Sequence, residues 1–144
     1  MTLDERVTRL TPNVRSIVRI MVGLLFLEHG LSKLFGFPTG TVREMFTLSW
    51  YSGGIEFVTG ALLTVGLATR AAALIASGEM AFAYFLAHAP TSFYPIVNRG
   101  EAAILYCFIF LYLAFAGGGP WSLDAYLQGR RPSEGRLPAG TSRA

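Results

Sequence analysis

The chain is short of charge. Only 15% of its 144 residues are Asp, Glu, Lys or Arg, where a soluble domain carries roughly a quarter. So few charges cannot cover a water-facing surface of this size, which excludes an ordinary soluble domain. A single cysteine, Cys107, excludes an internal disulfide and paired-cysteine thiol exchange, and reads as a small apolar filler. Strict alternation of apolar and polar residues is missing, which argues against a β-barrel. The glycine run at 117–119 before Pro120 has neither the strand context nor the Lys-Ser/Thr of a phosphate-binding loop, and reads as a helix terminator. No basic patch is interleaved with aromatics, so nucleic acid is not an expected partner.

What is present is apolar sequence in long blocks. Hydrophobic residues make up 52% of the chain and gather at 14–35, 52–68, 71–89 and 99–116. Each block has about 17–22 residues, enough to cross a hydrocarbon core of about 30 Å at about 1.5 Å per residue. The expectation is an all-α, integral membrane four-helix bundle over 14–126. A cytoplasmic segment at 1–13 precedes it, and a polar, Pro- and Gly-rich tail at 127–144 is expected to be disordered. The first block is too long and too interrupted by Glu28 and His29 for a cleavable signal.

Basic residues set the orientation. Arg6, Arg9, Arg15, Arg19, Arg70, Arg130, Arg131, Arg136 and Arg143 fall on one side, and only Lys33, Arg43 and Arg99 on the other. That places both termini in the cytoplasm. Residues 67–70 leave room only for a tight turn, so the second and third helices are antiparallel neighbours. In the first outer loop Val42, Met45, Phe46 and Trp50 recur at helical spacing, which predicts a short amphipathic surface helix.

Each block carries a glutamate: Glu28, Glu56, Glu79 and Glu101. A charge at bilayer depth costs a few kcal/mol on insertion scales and normally faces the bundle interior. Rise per residue puts Glu79 near the midplane, with Glu28, Glu56 and Glu101 about 4, 7 and 10 Å outward. His29, Lys33, His88 and Arg99 share that outer half. Small residues at helical spacing beside Glu56 (Gly53, Gly60) and Glu79 (Ala72, Ala76, Ala83, Ala87) mark the packed faces. The ionisable groups therefore converge on a polar pocket opening outward, while Phe110 and the aromatics near it face lipid or a partner. The competing reading is structural: Lys33, Arg99 and Glu101 lie close enough to the interface to snorkel.

Sharper chemistries fail on spacing. A di-iron site needs Glu-x-x-His on two helices, and neither Glu28–His29 nor Glu79–His88 supplies it. Bis-histidine haem would need His29 and His88 at one depth, but they differ by about 7 Å. No metal site is expected.

HGLSK from His29, Gly-Gly-Ile-Glu ending at Glu56, GLATRAAA across the second turn, GEM at Gly78, NRGEAAILY opening the last block and GGGPWSLD closing it together resemble the DoxX family of small bacterial membrane proteins. The resemblance spans 14–126. It implies a four-helix inner-membrane bundle associated with redox work, since relatives include the small membrane subunit of thiosulfate:quinone oxidoreductase. The matching positions are His29, Lys33, Glu56, Arg70, Glu79 and 98–101. The implied function is a membrane subunit of a redox complex that binds a quinone or small sulfur compound and holds no covalent cofactor. His29, Glu56 and Glu79 are the candidate catalytic residues, and Glu28, Lys33, His88, Arg99 and Glu101 the candidate binding residues. Expected partners are the bilayer and a membrane or peripheral protein or a further copy of the chain. The alternatives are a non-catalytic anchoring or assembly subunit and a conductor of protons or small solutes.

Overall fold

A computed structural model describes residues 2–129; the expected tail lies almost entirely outside them. Among the described residues the fold is all-helical, with six α-helices and no strand. They are α1 (Leu3–Phe35), α2 (Leu48–Val65), α3 (Thr69–Ala83), α4 (Pro95–Asn98), α5 (Glu101–Ala116) and α6 (Leu123–Gly129). α3 runs on without a break into a π-helical turn, Tyr84–His88. Two segments, α1 and α3 with its π-turn, are long and apolar enough to cross a membrane; α5 is shorter and apolar.

α1 starts well before residue 14. Thr2 and Glu5 form a reciprocal capping box, and the helix runs 33 residues through Pro12 to an end at Gly36 (φ 72°). Asp4 and Glu5 in its first turn and Lys33 in its last complement the helix dipole. The turn between α2 and α3 is as tight as expected. Gly66 closes α2 in the left-handed region and Ala68 (φ 48°) precedes α3.

The amphipathic helix predicted in the first loop does not form. Phe46 sits at φ 64° and Thr47 is extended as the cap of α2, so the helical path is broken between Met45 and Leu48. Trp50 belongs to α2 instead, while Val42, Met45 and Phe46 are exposed in a non-helical loop.

α1 packs along α2, and α3 along α5, with α2 meeting α3 between the two pairs. Glycines bring the first pair close. A Cβ on Gly60 would lie 2.5 Å from the Leu27 backbone nitrogen, and one on Gly53 2.7 Å from Lys33 Cβ. Between the pairs the filler is aromatic: Phe26 of α1 meets Phe110 of α5 edge-on at 4.7 Å, and Phe110 stacks on Tyr106 at 5.6 Å. Phe110 is therefore core rather than outward-facing, because the α1–α5 gap needs a ring to fill it. Phe108, Tyr112 and Phe115 do face outward.

Candidate functional site

The predicted polar residues do not all meet. Six of them, His29, Lys33, Glu56, Glu79, His88 and Arg99, line one cavity of about 1110 Å3 between the two helix pairs. Glu28 is exposed on α1, Glu101 is exposed in the first turn of α5, and neither lines the cavity. Glu28 directly precedes His29, and one residue along a helix turns a side chain by about 100°.

At the heart of the cavity wall is a chain of hydrogen bonds through three helices. The Lys33 ammonium of α1 donates to Glu56 Oε1 at 2.7 Å and to Ser52 Oγ at 2.8 Å, both on α2. The Ser52 hydroxyl donates in turn to Glu79 Oε1 on α3 at 2.7 Å. Glu56 is 2% exposed. Lys33 is therefore held inward by an ion pair and does not snorkel. Gly53 permits this, since any side chain there would strike the Lys33 stem.

The chain is incomplete on the acceptor side. Glu56 Oε2 and Glu79 Oε2 are both buried without a hydrogen-bond partner. An unsatisfied buried polar atom costs about 1–3 kcal/mol, more for a charged group. Both oxygens belong to residues that line the cavity but lie just behind its surface, where taking up a proton would relieve the missing hydrogen bond. A ring lies close by: His29 meets Tyr106 edge-on at 6.1 Å. The rest of the lining is largely apolar, with Leu74, Ile75 and Phe82 of α3 and Leu86 of the π-turn among it. His88 closes one side, its Nδ1 3.0 Å from the Asn98 carbonyl oxygen. Among the described residues no three His, Cys, Asp or Glu side chains converge to hold a metal ion.

Sequence reasoning missed Ser52, Tyr106 and Arg43 in this lining. Ser52 had a signal, since it stands four residues before Glu56 and so shares its helical face. Tyr106 had none, because in an apolar helix it reads as one more aromatic.

It also missed a second polar cluster, at the other end of the helices. Arg19 reads as a flanking charge but is 0% exposed. Its guanidinium donates to the carbonyls of Gly118 (2.8 Å), Thr64 (2.7 Å), Trp121 (2.6 Å) and Leu63. It thus binds the end of α2 to the 117–121 turn. Arg15 donates to the Ala116 carbonyl, and Arg70 to those of Ala114 and Phe115, at the end of α5. Asp124 accepts from the backbone N–H groups of Ala68 and Thr69, each at 2.8 Å, and so caps α3. Partial burial pushes the Asp124 carboxyl up, but these N–H donors and the nearby Arg19 charge outweigh it and hold it below its ordinary value.

The DoxX family profile matches residues 14–89. A Haemophilus influenzae protein described as uncharacterized is 42% identical, and the match covers 78% of this chain and 90% of that protein. No solved structure matches. The profile spans more than half of the residues, and the motifs quoted above follow in order through the helices just described: the chain belongs to the DoxX family.

Proposed function

We propose that the chain is the integral membrane subunit of a redox complex in a bacterial inner membrane, with a quinone or a small sulfur compound bound in the cavity between the helix pairs. The observation that carries this reading is the Lys33–Glu56–Ser52–Glu79 chain, which leaves two buried carboxylate oxygens at the wall of an otherwise apolar space. In this reading α1, α2, α3 and α5 form a four-helix bundle that crosses the bilayer, with both termini cytoplasmic and the cavity in the outer half. A reporter fused after Ala144 is then cytoplasmic, and one inserted at Thr39 is external.

The residues fit a quinone. The apolar walls suit its ring and chain, His29 offers a donor to a carbonyl oxygen, and the two glutamates are placed to take up or release protons. Lys33 keeps one carboxylate oxygen neutralised so that the wall does not repel a polar head. The quinone would supply the redox couple, and a partner subunit the electrons. The test is paired: quinone extracted from the purified protein, and melting temperature in detergent, for Glu79→Gln, which leaves the Lys33–Glu56 ion pair in place, and His29→Ala. Loss of bound quinone at an unchanged melting temperature is the expected result. Retained quinone in both variants would turn the reading to a non-catalytic anchor, which the exposed row of Leu105, Phe108, Tyr112 and Phe115 on α5 also favours.

A further inference from the structure

α1 is longer than the helices it packs against. Its Arg15 reaches the last turn of α5 and its Arg19 the last turn of α2, so the bundle ends at their level. Pro12 still lies against Gly119 of the 117–121 turn, so residues 3–11 project beyond that turn by about 14 Å at 1.5 Å per residue. Leu3, Val7 and Leu10 of this projection continue a single stripe with Val14, Ile17, Met21 and Leu24, all between 44% and 79% exposed. The steps along the stripe alternate four and three. That is the heptad spacing, sustained for three heptads, with Leu3, Leu10, Ile17 and Leu24 at d and Val7, Val14 and Met21 at a. The opposite face of the same helix (Ser16, Arg19, Val22, Gly23, Phe26, Gly30) is buried against the rest of the chain.

From this we infer that α1 is a dimerisation helix: its a/d stripe is covered by the same stripe of a second copy, in a parallel two-stranded coiled coil. Two features of the stripe and the proposed orientation choose this occupant. Lipid can cover Ile17, Met21 and Leu24 inside the bilayer, but it cannot cover Leu3, Val7 and Leu10 on a helix that leaves it. Valine at a with leucine at d, as in the projecting part, is the combination that favours two parallel strands. Two copies inserted with one topology are parallel already, an argument that rests on the membrane orientation proposed above. Charge does not oppose the pairing. The g–e′ neighbours would be Arg6 with Thr11, Asn13 with Val18 and Ile20 with Leu25, with no like charges facing. Glu28 takes the next a position and ends the apolar run. The chain's own residues 130–144 are a poor substitute cover, since Leu137 is their one large apolar side chain.

The test is disulfide trapping of the full chain in isolated membranes, in a Cys107→Ser background. Val7→Cys sits on the seam and Glu5→Cys faces away from it. Under mild oxidation Val7→Cys should give at least tenfold more covalent dimer than Glu5→Cys. A symmetric Val7–Val7 link also reports the parallel arrangement, because an antiparallel pair would set these residues apart. Adding Val7→Lys and Leu10→Lys to a Val14→Cys chain should lower its trapping at least tenfold while the protein stays in the membrane fraction. Equal trapping at residues 5 and 7, trapping to a different protein, or no trapping with Val7→Cys shielded in lipid would each overturn the proposal. Absence of the parent chain from the membrane fraction would instead overturn the membrane insertion it rests on, and an external reporter after Ala144 the orientation.

Discussion

The two ends of the helices use the same scarce resource, a buried charge, in opposite ways. At the arginine end the Arg19 guanidinium donates to backbone carbonyls at the end of α2 and in the 117–121 turn, of which that of Leu63 also accepts from the Gly66 N–H. The fork of an arginine suits this, because its donors fan out in a plane and cannot lose their charge. At the cavity end one lysine serves two carboxylates through a serine, and two carboxylate oxygens are left over. The first arrangement closes helix ends with most of its donors occupied; what it leaves over beside its own cavity of about 690 Å3 is Arg15 Nε and the Thr69 hydroxyl, neither of which can take up a proton near neutral pH. The second keeps free acceptor capacity where a space adjoins it. Burial of charge is therefore not by itself a sign of a site, nor is an unpartnered polar atom; what sets the cavity end apart is that its leftover atoms are carboxylate oxygens, which can bind a proton.

The contrast can be broken hardest at Arg19. Arg19→Met removes the donors for four carbonyls at once, and hydrogen bonds to charged groups contribute about 1.5–3 kcal/mol each. We expect a loss above about 3 kcal/mol, seen as a collapse of folded yield and melting temperature in detergent. Arg19→Lys should recover only part of it, since an ammonium on one stem cannot span the same carbonyls. A variant as stable as the parent would show that the 117–121 turn is held by something else.

A smaller, sharper effect is expected at Asp124. Losing a capping side chain costs about 0.5–2 kcal/mol, so Asp124→Ala should lower the melting temperature modestly and leave ligand binding unchanged. Its carboxyl is held below its ordinary value, so the folded state binds the proton less readily than the unfolded chain. The stability it contributes is full above the unfolded aspartate value of about 3.9, and is lost as the pH falls from there through the lower folded value. Melting temperature against pH should show that acid-side loss in the parent, reduced in Asp124→Ala.

At the cavity end the expected effect on stability is the smallest. Interhelical hydrogen bonds in membranes average about 0.6 kcal/mol, so Glu79→Gln should barely move the melting temperature while lowering bound quinone. A large stability loss there would make the two ends alike and remove the ground for calling one of them a site.

Much of this was legible from residue spacing alone. The apolar blocks, the tight turn at Gly66 and the inward faces of Glu56 and Glu79 follow from periodicity and from small residues beside the charges, both local properties. What stayed hidden depends on distant partners. Arg19 and Arg15 look alike in sequence, and only the folded-back 117–121 turn makes one fully buried. Phe110 and Phe108 differ by two residues in a helix apolar all round, so nothing in the pattern says which one points inward. The first loop failed differently: helical spacing of Val42, Met45 and Phe46 was present, but one left-handed residue overrode it.

The π-turn at Tyr84–His88 carries a consequence for the wall of the cavity. Ala89 donates to the Tyr84 carbonyl, five residues back, at 2.9 Å, so the helix holds one residue more here than an α-helix would. Leu86, Ala87 and His88 of this wide turn lie on the cavity wall. Such turns are single, weakly bonded insertions often found at functional places. Releasing the surplus residue toward the loop would turn His88 by about 100° around the axis without uncoiling α3. A shift of one residue in register is thus enough to change which side chain this part of the wall presents.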